Sequence, residues 1–379
     1  MNSTDYYTDL FDRIYLTEEV LDLPKVRGAL ECLDTLPART VDEKSDIPGE
    51  HMNARTLFIT LPKGEIVDRC PGTRGHLCCN YLTVNQYLGC TLGCSYCIMR
   101  WYLNFEPITV HAETREAVRR IEAIRRTNPD TTLRIGTGEV GDSLLLDPLF
   151  NLSRDYIEAF ADDPLLYFEL KTKTDFVDHL EDIPRKGNAV IGFSLNPEDF
   201  TAEEESCTAS VERRFAAAER AVSWGYKIAF HFDPIVTGPR PGGGELATGG
   251  KEGAKGDEQA ADWRGAYFPL ADRVGGFPAD KVAWISMGTF RYPPELKDKM
   301  GSPPYLYDEY VPSRDGKYRY LQKRRVIIYR EMLSRIRRKS TAPVYLCMES
   351  DAVWKAVFGK LPGEILGLEA IFSRPRFAG

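Results

Sequence analysis

The chain predicts an α/β fold in which a parallel sheet curls into a full or partial barrel. Short runs of β-branched and aromatic residues alternate with longer segments of helical periodicity along most of the sequence. Strands that alternate with helices imply parallel pairing through right-handed crossovers. With 379 residues there is enough chain to bury a sizeable core.

Taken in order, the strand candidates are residues 81–88 (YLTVNQYL), 132–138 (TLRIGTG), 166–172 (LYFELKT), 189–195 (AVIGFSL), 227–236 (KIAFHFDPIV), 283–290 (AWISMGTF) and 343–350 (PVYLCMES). The helical patterns lie at 112–127, 147–161, 210–225 and 320–338. In such folds the chemistry sits at the carboxyl ends of the strands. An insertion at 238–262, rich in glycine and charge, reads as a loop that is flexible and able to act as a lid. The expected organisation is an extension over 1–80 packed on a barrel core at 81–295, followed by a strand and helix extension at 296–379 with a hairpin able to meet a substrate.

Apolar residues at 43% and charged residues at 28% are ordinary for a soluble globular chain, and no apolar run is long enough to span a membrane. The first twenty residues lack the basic, apolar and small-residue order of a signal peptide, so the cytoplasm is the expected compartment. A net charge of -7 does not favour a partner held through phosphates, although a local basic face could override it. Residues 321–340, with Arg324, Arg325, Arg330, Arg335, Arg337, Arg338 and Lys339, are one such face; the plainer reading is a solvated amphipathic helix. Nine cysteines in a chain of this kind point to metal or redox chemistry and away from a disulfide framework.

Three of those cysteines, Cys90, Cys94 and Cys97, stand in the stretch GCTLGCSYC with C-x3-C-x2-C spacing, directly after the first strand candidate. A zinc site closes four ligands, and the next cysteine downstream is Cys207. Three thiolates suit a 4Fe-4S cluster that leaves one iron free to hold a small molecule, and thiolate-rich clusters make low-potential electron donors.

This motif, with Tyr96 before its last cysteine, resembles the radical S-adenosylmethionine superfamily. The resemblance implies a partial (β/α)6-type barrel, a 4Fe-4S cluster on Cys90, Cys94 and Cys97, and S-adenosylmethionine chelated to the open iron and cleaved to a 5′-deoxyadenosyl radical. The stretch RIGTGEVGDSLLLD resembles the superfamily's glycine-rich turn, so Thr137, Gly138 and Glu139 are expected to receive the cofactor's amino group; a carboxylate suits an ammonium.

Within that superfamily the chain resembles the spore photoproduct lyases and the related DNA repair photolyase-like proteins, through FDRIYLTEEVLDLP, CPGTRGHLCCNY, KTKTDFVDHL, IGFSLNPEDF, GYKIAFHFDPIV, RYPPELK and GKYRY. The resemblance implies a lyase that cleaves a carbon–carbon bond in a DNA thymine photoproduct, served by an electron donor such as flavodoxin or ferredoxin. It places the cofactor's carboxylate and ribose on Lys173 and Ser194, with Lys171 as a substitute and Tyr96 and Asn196 as further cofactor contacts.

Two departures stand out. Family members carry a cysteine after the second strand that returns a hydrogen atom to the substrate, and residues 134–144 contain none; they carry a tyrosine after the third cluster cysteine, where this chain has Ile98. Cys78, Cys79, Cys347 and Tyr102 are the candidate substitutes, because thiols and phenols have weak bonds to hydrogen. Cys70, His76, Cys78 and Cys79 also raise the question of a second metal site. His231 and Asp233 share one face of a strand end and could line a cavity. Arg291, Tyr292, Lys317, Tyr318, Arg319 and Tyr320 form a basic and aromatic mixture suited to phosphates and bases. The rival readings are the same chemistry on a modified nucleoside, a peptide or a metabolite, and a non-catalytic iron–sulfur or zinc module.

Overall fold

The computed structural model describes residues 3–72, 75–102, 106–238 and 263–377, with the side chains of residues 3–5 and 102 left aside. Its main sheet has eight strands: β1 (Val67–Arg69), β2 (Leu82–Val84), β3 (Leu133–Gly136), β4 (Leu166–Thr172), β5 (Ala189–Ser194), β6 (Lys227–Ile235), β7 (Val282–Thr289) and β8 (Val344–Leu346). They lie side by side in chain order. All pairs from β2 to β8 are parallel, and only β1 joins the edge in the antiparallel sense.

The crossovers carry the helices α1 (Arg115–Thr127), α2 (Leu152–Phe160), α3 (Val211–Ser223), α4 (Trp263–Val274) and α5 (Gln322–Arg337). Helices cover one face of the sheet and the other curls inward, so strands such as β3 and β5 are buried on both sides and read as continuous apolar runs. The result is a curled half-barrel. It has seven parallel strands where a six-fold unit was expected, because 344–346 pairs directly with β7.

Each helix is explained by its stripe. In α1, Ala117, Ile121 and Ile124 recur at helical spacing and are buried. In α3 the Ser210 side chain accepts from the Arg213 amide at 3.3 Å, which caps the first turn. In α5, Ile328, Met332 and Ile336 sit on one buried stripe, each contributing roughly 1.5–3 kcal/mol through removal from water. Five of the six basic residues of α5 are bonded within the fold: Arg325 to Glu349 at 3.0 Å, Arg324 to Asp308 at 2.6 Å, Arg335 to Asp272, and Arg330 and Arg337 to the carbonyls of Ala356 and Ala342. The plainer reading of this segment, an amphipathic helix, fits.

Three details differ from the sequence expectation. The segment 81–88 is two strands, because the chain changes sheets at Asn85 and Gln86: Leu82–Val84 joins the half-barrel and Tyr87–Leu88 pairs antiparallel with Ile108–His111. That second pair belongs to a five-stranded sheet with Arg13–Leu16, Ala38–Thr40 and Thr56–Thr60, so sheet pairing runs across the boundary expected at residue 80. The helix expected over 147–161 is split into Asp147–Phe150 and Leu152–Phe160 by Asn151, whose φ of 48° lies in the left-handed region that asparagine tolerates. A small antiparallel sheet of Arg291–Tyr292, Tyr318–Tyr320 and Tyr310–Pro312 follows β7. The loop expected at 238–262 lies, apart from Gly238, outside the described residues.

Candidate active site

The loop that begins at Gly89 leaves Tyr87–Leu88 and crosses the carboxyl ends of β3 to β5. The Gly89 amide donates to the Val140 carbonyl at 3.0 Å, the Cys207 amide to Leu92 at 3.2 Å and the Ser95 amide to Glu204 at 2.9 Å. These backbone bonds clamp the cysteine loop between the turn after β3 and the segment after β5. Cys90, Cys94 and Cys97 then line a single cavity of about 580 Å³. Gly138, Glu139, Asp142, Lys171, Lys173 and Ser194 line the same cavity, so residues separated widely in sequence converge on one space.

The turn after β3 is shaped by glycine and a buried carboxylate. Gly138 has a φ of +75°, and a Cβ there would stand 2.6 Å from the Ser143 hydroxyl and 2.9 Å from Lys171; only glycine fits. Asp142 accepts from the amides of Leu144 and Leu145 at 3.0 Å, the Thr172 hydroxyl at 2.8 Å and the Lys173 amide at 2.7 Å. It fastens the turn to the end of β4. Glu139 faces Lys171, whose Nζ lies 3.1 Å from Oε2, and accepts from the Cys70 thiol at 3.6 Å.

On the other side a buried ionic group supports Lys173 and Ser194. Glu205 accepts from Arg214 Nη2 at 2.6 Å, Asn196 Nδ2 at 3.0 Å and the Tyr96 hydroxyl, and Lys173 Nζ lies 4.0 Å away. Arg214 also donates to the Ser194 carbonyl at 2.9 Å. Burial alone would raise the Glu205 carboxyl, but Lys173 and Arg214 pull it below the ordinary range. Burial pushes the Cys94 thiol up to about 12 although Lys173 acts in the other direction.

Sequence reasoning missed Asp142, Glu205 and Arg214, whose signal, a polar residue inside a helical or turn pattern, is shared by many surface positions. It placed Tyr96 and Asn196 among cofactor contacts. Both are buried one layer beneath the cavity, where Asn196 donates to Tyr96 at 3.2 Å and accepts from Tyr267 at 3.1 Å, so they hold Glu205 and do not line the cavity.

His231 and Asp233 are likewise engaged within the fold. His231 lies 2.8 Å from Glu169 and 2.7 Å from Ser286, and Asp233 receives Arg291 at 3.0 and 3.1 Å. Burial raises the Glu169 carboxyl, but His231, Lys171 and Arg134 outweigh it and hold it at about 2. Its folded value is below the ordinary 4.5, so its contribution is complete above pH 4.5 and is lost as pH falls toward 2. Acid titration followed by tryptophan fluorescence should show stability falling through that window, and Glu169→Gln should shrink the loss.

The basic and aromatic set expected to meet nucleic acid is mostly interior. Tyr292, Lys317, Arg319 and Tyr320 are buried, Arg291 is paired to Asp233, and Arg319 is paired to Asp315 at 2.7 Å; Tyr318 is half-buried and stacked on Tyr292. The small sheet packs these side chains inward, so they form no basic surface. Cys78 packs against Gly72 and Cys79 against the core, neither lining the cavity; Cys347 accepts from Arg291 at 3.7 Å. The Tyr102 side chain lies outside the described residues.

Among the described residues no three His, Cys, Asp or Glu side chains converge to hold a single ion, which applies to Cys70, His76, Cys78 and Cys79 as well as to the cysteine loop. The loop's donors are three thiols around a roomy cavity, with no imidazole among its lining residues. That donor set suits an iron–sulfur cluster better than one hard cation.

The curled half-barrel thus carries a three-cysteine loop, a glycine turn with a carboxylate, and a lysine and serine on one cavity at its strand ends. Residues 72–239 match the family model described as spore photoproduct lyase. The spore photoproduct lyase of Bacillus subtilis (strain 168) is 25% identical over 148 residues, 39% of this chain and 43% of that protein. That of Geobacillus sp. (strain Y412MC61) is 29% identical over 164 residues, 43% of each chain. The matched part therefore spans less than half the length of these curated relatives. Among solved structures, a spore photoproduct lyase mutant with dinucleoside spore photoproduct superposes with a TM-score of 0.70 at 19% identity, over 89% of this chain and 98% of that one. A double mutant with bound AdoMet and dinucleoside spore photoproduct gives 0.69 at 20% identity, over 90% and 99%. The chain is spore photoproduct lyase-like in sequence over 72–239 and in fold over about nine-tenths of its length.

Proposed function

We propose that this protein is a radical S-adenosylmethionine enzyme acting on a thymine photoproduct in DNA. The observation that carries the reading is the convergence of Cys90, Cys94, Cys97, Gly138, Glu139, Lys173 and Ser194 on one cavity. The three thiols would hold a 4Fe-4S cluster. The glycine turn leaves room for the cofactor's amino group beside the Glu139 carboxylate, the Lys173 ammonium suits its carboxylate, and the Ser194 hydroxyl suits a ribose hydroxyl. When bound, the cluster and cofactor supply a carbon-centred radical able to abstract hydrogen from an unreactive carbon. The protein's own part is to fix the cofactor's charged ends, exclude water and hold the substrate carbon within reach.

The substrate comes from the relatives, several of whose structures hold dinucleoside spore photoproduct. A low-potential carrier such as flavodoxin or ferredoxin would suit as reductant, because a thiolate-rich cluster has a low potential. Among the described residues no helix is long and apolar enough to cross a membrane; a cytoplasmic location accords with a DNA substrate. The segment 134–144 without cysteine, together with Ile98, favours a second reading: the same radical chemistry on a different substrate.

Lys173→Met should weaken S-adenosylmethionine binding by about ten- to a hundredfold, the worth of one charge-assisted hydrogen bond. Calorimetric titration of the reconstituted protein measures this. Incubation with dithionite and S-adenosylmethionine, with 5′-deoxyadenosine as readout, tests the class; salt-sensitive binding of a damaged oligonucleotide separates a DNA substrate from a small molecule.

A further inference from the structure

We infer that Lys171 is a substrate-binding residue whose ammonium donates a hydrogen bond to a ring carbonyl of the thymine photoproduct, an assignment that rests on the radical reading above. Lys171 and Lys173 stand two residues apart at the end of β4, and both line the cavity. Their surroundings differ. Lys173 lies 4.0 Å from Glu205 and close enough to Cys94 for the thiol to feel its charge. Lys171 lies toward β2, with Nζ 3.1 Å from Glu139 Oε2 and 4.2 Å from the centre of the Tyr81 ring. The cofactor has one carboxylate, and Lys173 on the cysteine side suits it. The second ammonium is left for another ligand.

The chain around Lys171 fixes its placement. The Ser143 amide donates to the Lys171 carbonyl at 2.9 Å, and a Cβ on Gly138 would stand 2.9 Å from both that carbonyl oxygen and the Lys171 Cβ, so the glycine turn closes directly on this residue. Its side chain is 23% exposed; burial acts against the charge, but the Glu139 carboxylate foremost outweighs it and keeps the amine protonated. An ammonium carries three donors. Among the described residues Lys171 makes one side-chain hydrogen bond, to Glu139, and turns toward the face of the Tyr81 ring. A donor remains for whatever enters the cavity.

The charge of the pair selects the ligand. Glu139 already balances Lys171, so a phosphate or carboxylate on the same ammonium would stand beside the Glu139 carboxylate, like charge against like. A neutral acceptor avoids that repulsion, and a carbonyl oxygen is a strong one. A thymine base offers two ring carbonyls and carries no charge of its own. Glu139 then joins two tasks: its carboxylate has room for the cofactor's amino group as well as for Lys171, because it can accept up to about four hydrogen bonds. The residue that orients the base is thereby tied to the residue that orients the cofactor.

The test uses anaerobically reconstituted protein saturated with S-adenosylmethionine and kept without reductant, so that binding is read in the absence of turnover. The probe is dinucleoside spore photoproduct carrying 13C at its ring carbonyls, added to wild type, Lys171→Met and Lys171→Gln. Calorimetric titration should show the dinucleoside bound about ten- to a hundredfold more weakly by Lys171→Met, the worth of one charge-assisted hydrogen bond. S-adenosylmethionine itself should bind no more weakly, since Glu139 keeps its charge, which sets this variant apart from Lys173→Met. Infrared difference spectra should place a labelled carbonyl band of the bound dinucleoside at lower wavenumber in wild type than in Lys171→Met, because a cationic donor weakens the C=O bond. Lys171→Gln keeps a neutral donor, so its band should fall between the two; it also serves as the test if the methionine variant loses its circular dichroism spectrum. Wild-type affinity and an unmoved band in the folded variants overturn the assignment alone, as does a tenfold loss of S-adenosylmethionine binding in Lys171→Met, which would return this lysine to the cofactor. Wild type that holds its cluster and S-adenosylmethionine but binds no dinucleoside overturns the thymine reading, and the carbonyl contact with it.

Discussion

Replacing Cys94 with alanine should abolish cofactor cleavage while leaving the chain folded. The cysteine loop is fixed by main-chain bonds from Gly89, Ser95 and Cys207, none of which uses a thiol. Cys94 is 9% exposed, and the change removes only one sulfur from a side chain that ends at the cavity. A reconstituted variant should therefore keep its circular dichroism spectrum, lose most of its bound iron and release no measurable 5′-deoxyadenosine. A module in which the cysteines serve only to hold the fold would show the opposite order, with unfolding accompanying metal loss.

The second large effect is expected at Arg214, which does not itself line the cavity. Its guanidinium is fully buried and binds Glu205 together with the carbonyls of Ala209 and Ser194. Arg214→Met would strand the Glu205 carboxylate in the interior, and breaking one side of a buried pair typically costs about 3–5 kcal/mol. Urea unfolding should show a midpoint shift of corresponding size. Adding Glu205→Gln should recover part of the loss, because the uncompensated charge is then gone. Cofactor binding should weaken in the single variant as well, since the Ser194 carbonyl loses its Arg214 donor.

The half-barrel was legible because parallel strands buried on both faces read as compact apolar runs, and the chain presents them in the order in which they pair. Residues 166–172, for instance, coincide with β4. The change of sheet within 81–88 was not legible, since Asn85 and Gln86 interrupt the apolar run without a glycine or proline to mark a turn. The strands at Arg13–Leu16 and Ala38–Thr40 are short and carried no periodic signal of their own.

In the site, the cysteines, Gly138, Glu139, Lys173 and Ser194 were found through spacing and resemblance, and all line the cavity. The residues that hold them, Asp142, Glu205 and Arg214, depend on contacts between distant segments. The same limit misplaced Tyr292 and Arg319: composition records tyrosine and arginine together, but whether they face solvent is decided by the packing of the small sheet on β7 and its neighbours.

The measurement that bears most directly on the central claim is anaerobic incubation of the iron-reconstituted protein with S-adenosylmethionine, dithionite and an oligonucleotide carrying spore photoproduct. Mass spectrometry would follow both 5′-deoxyadenosine and restored thymines. The account predicts both products, and their loss in Cys94→Ala. A protein that retains its cluster, binds S-adenosylmethionine and yields no 5′-deoxyadenosine would contradict it.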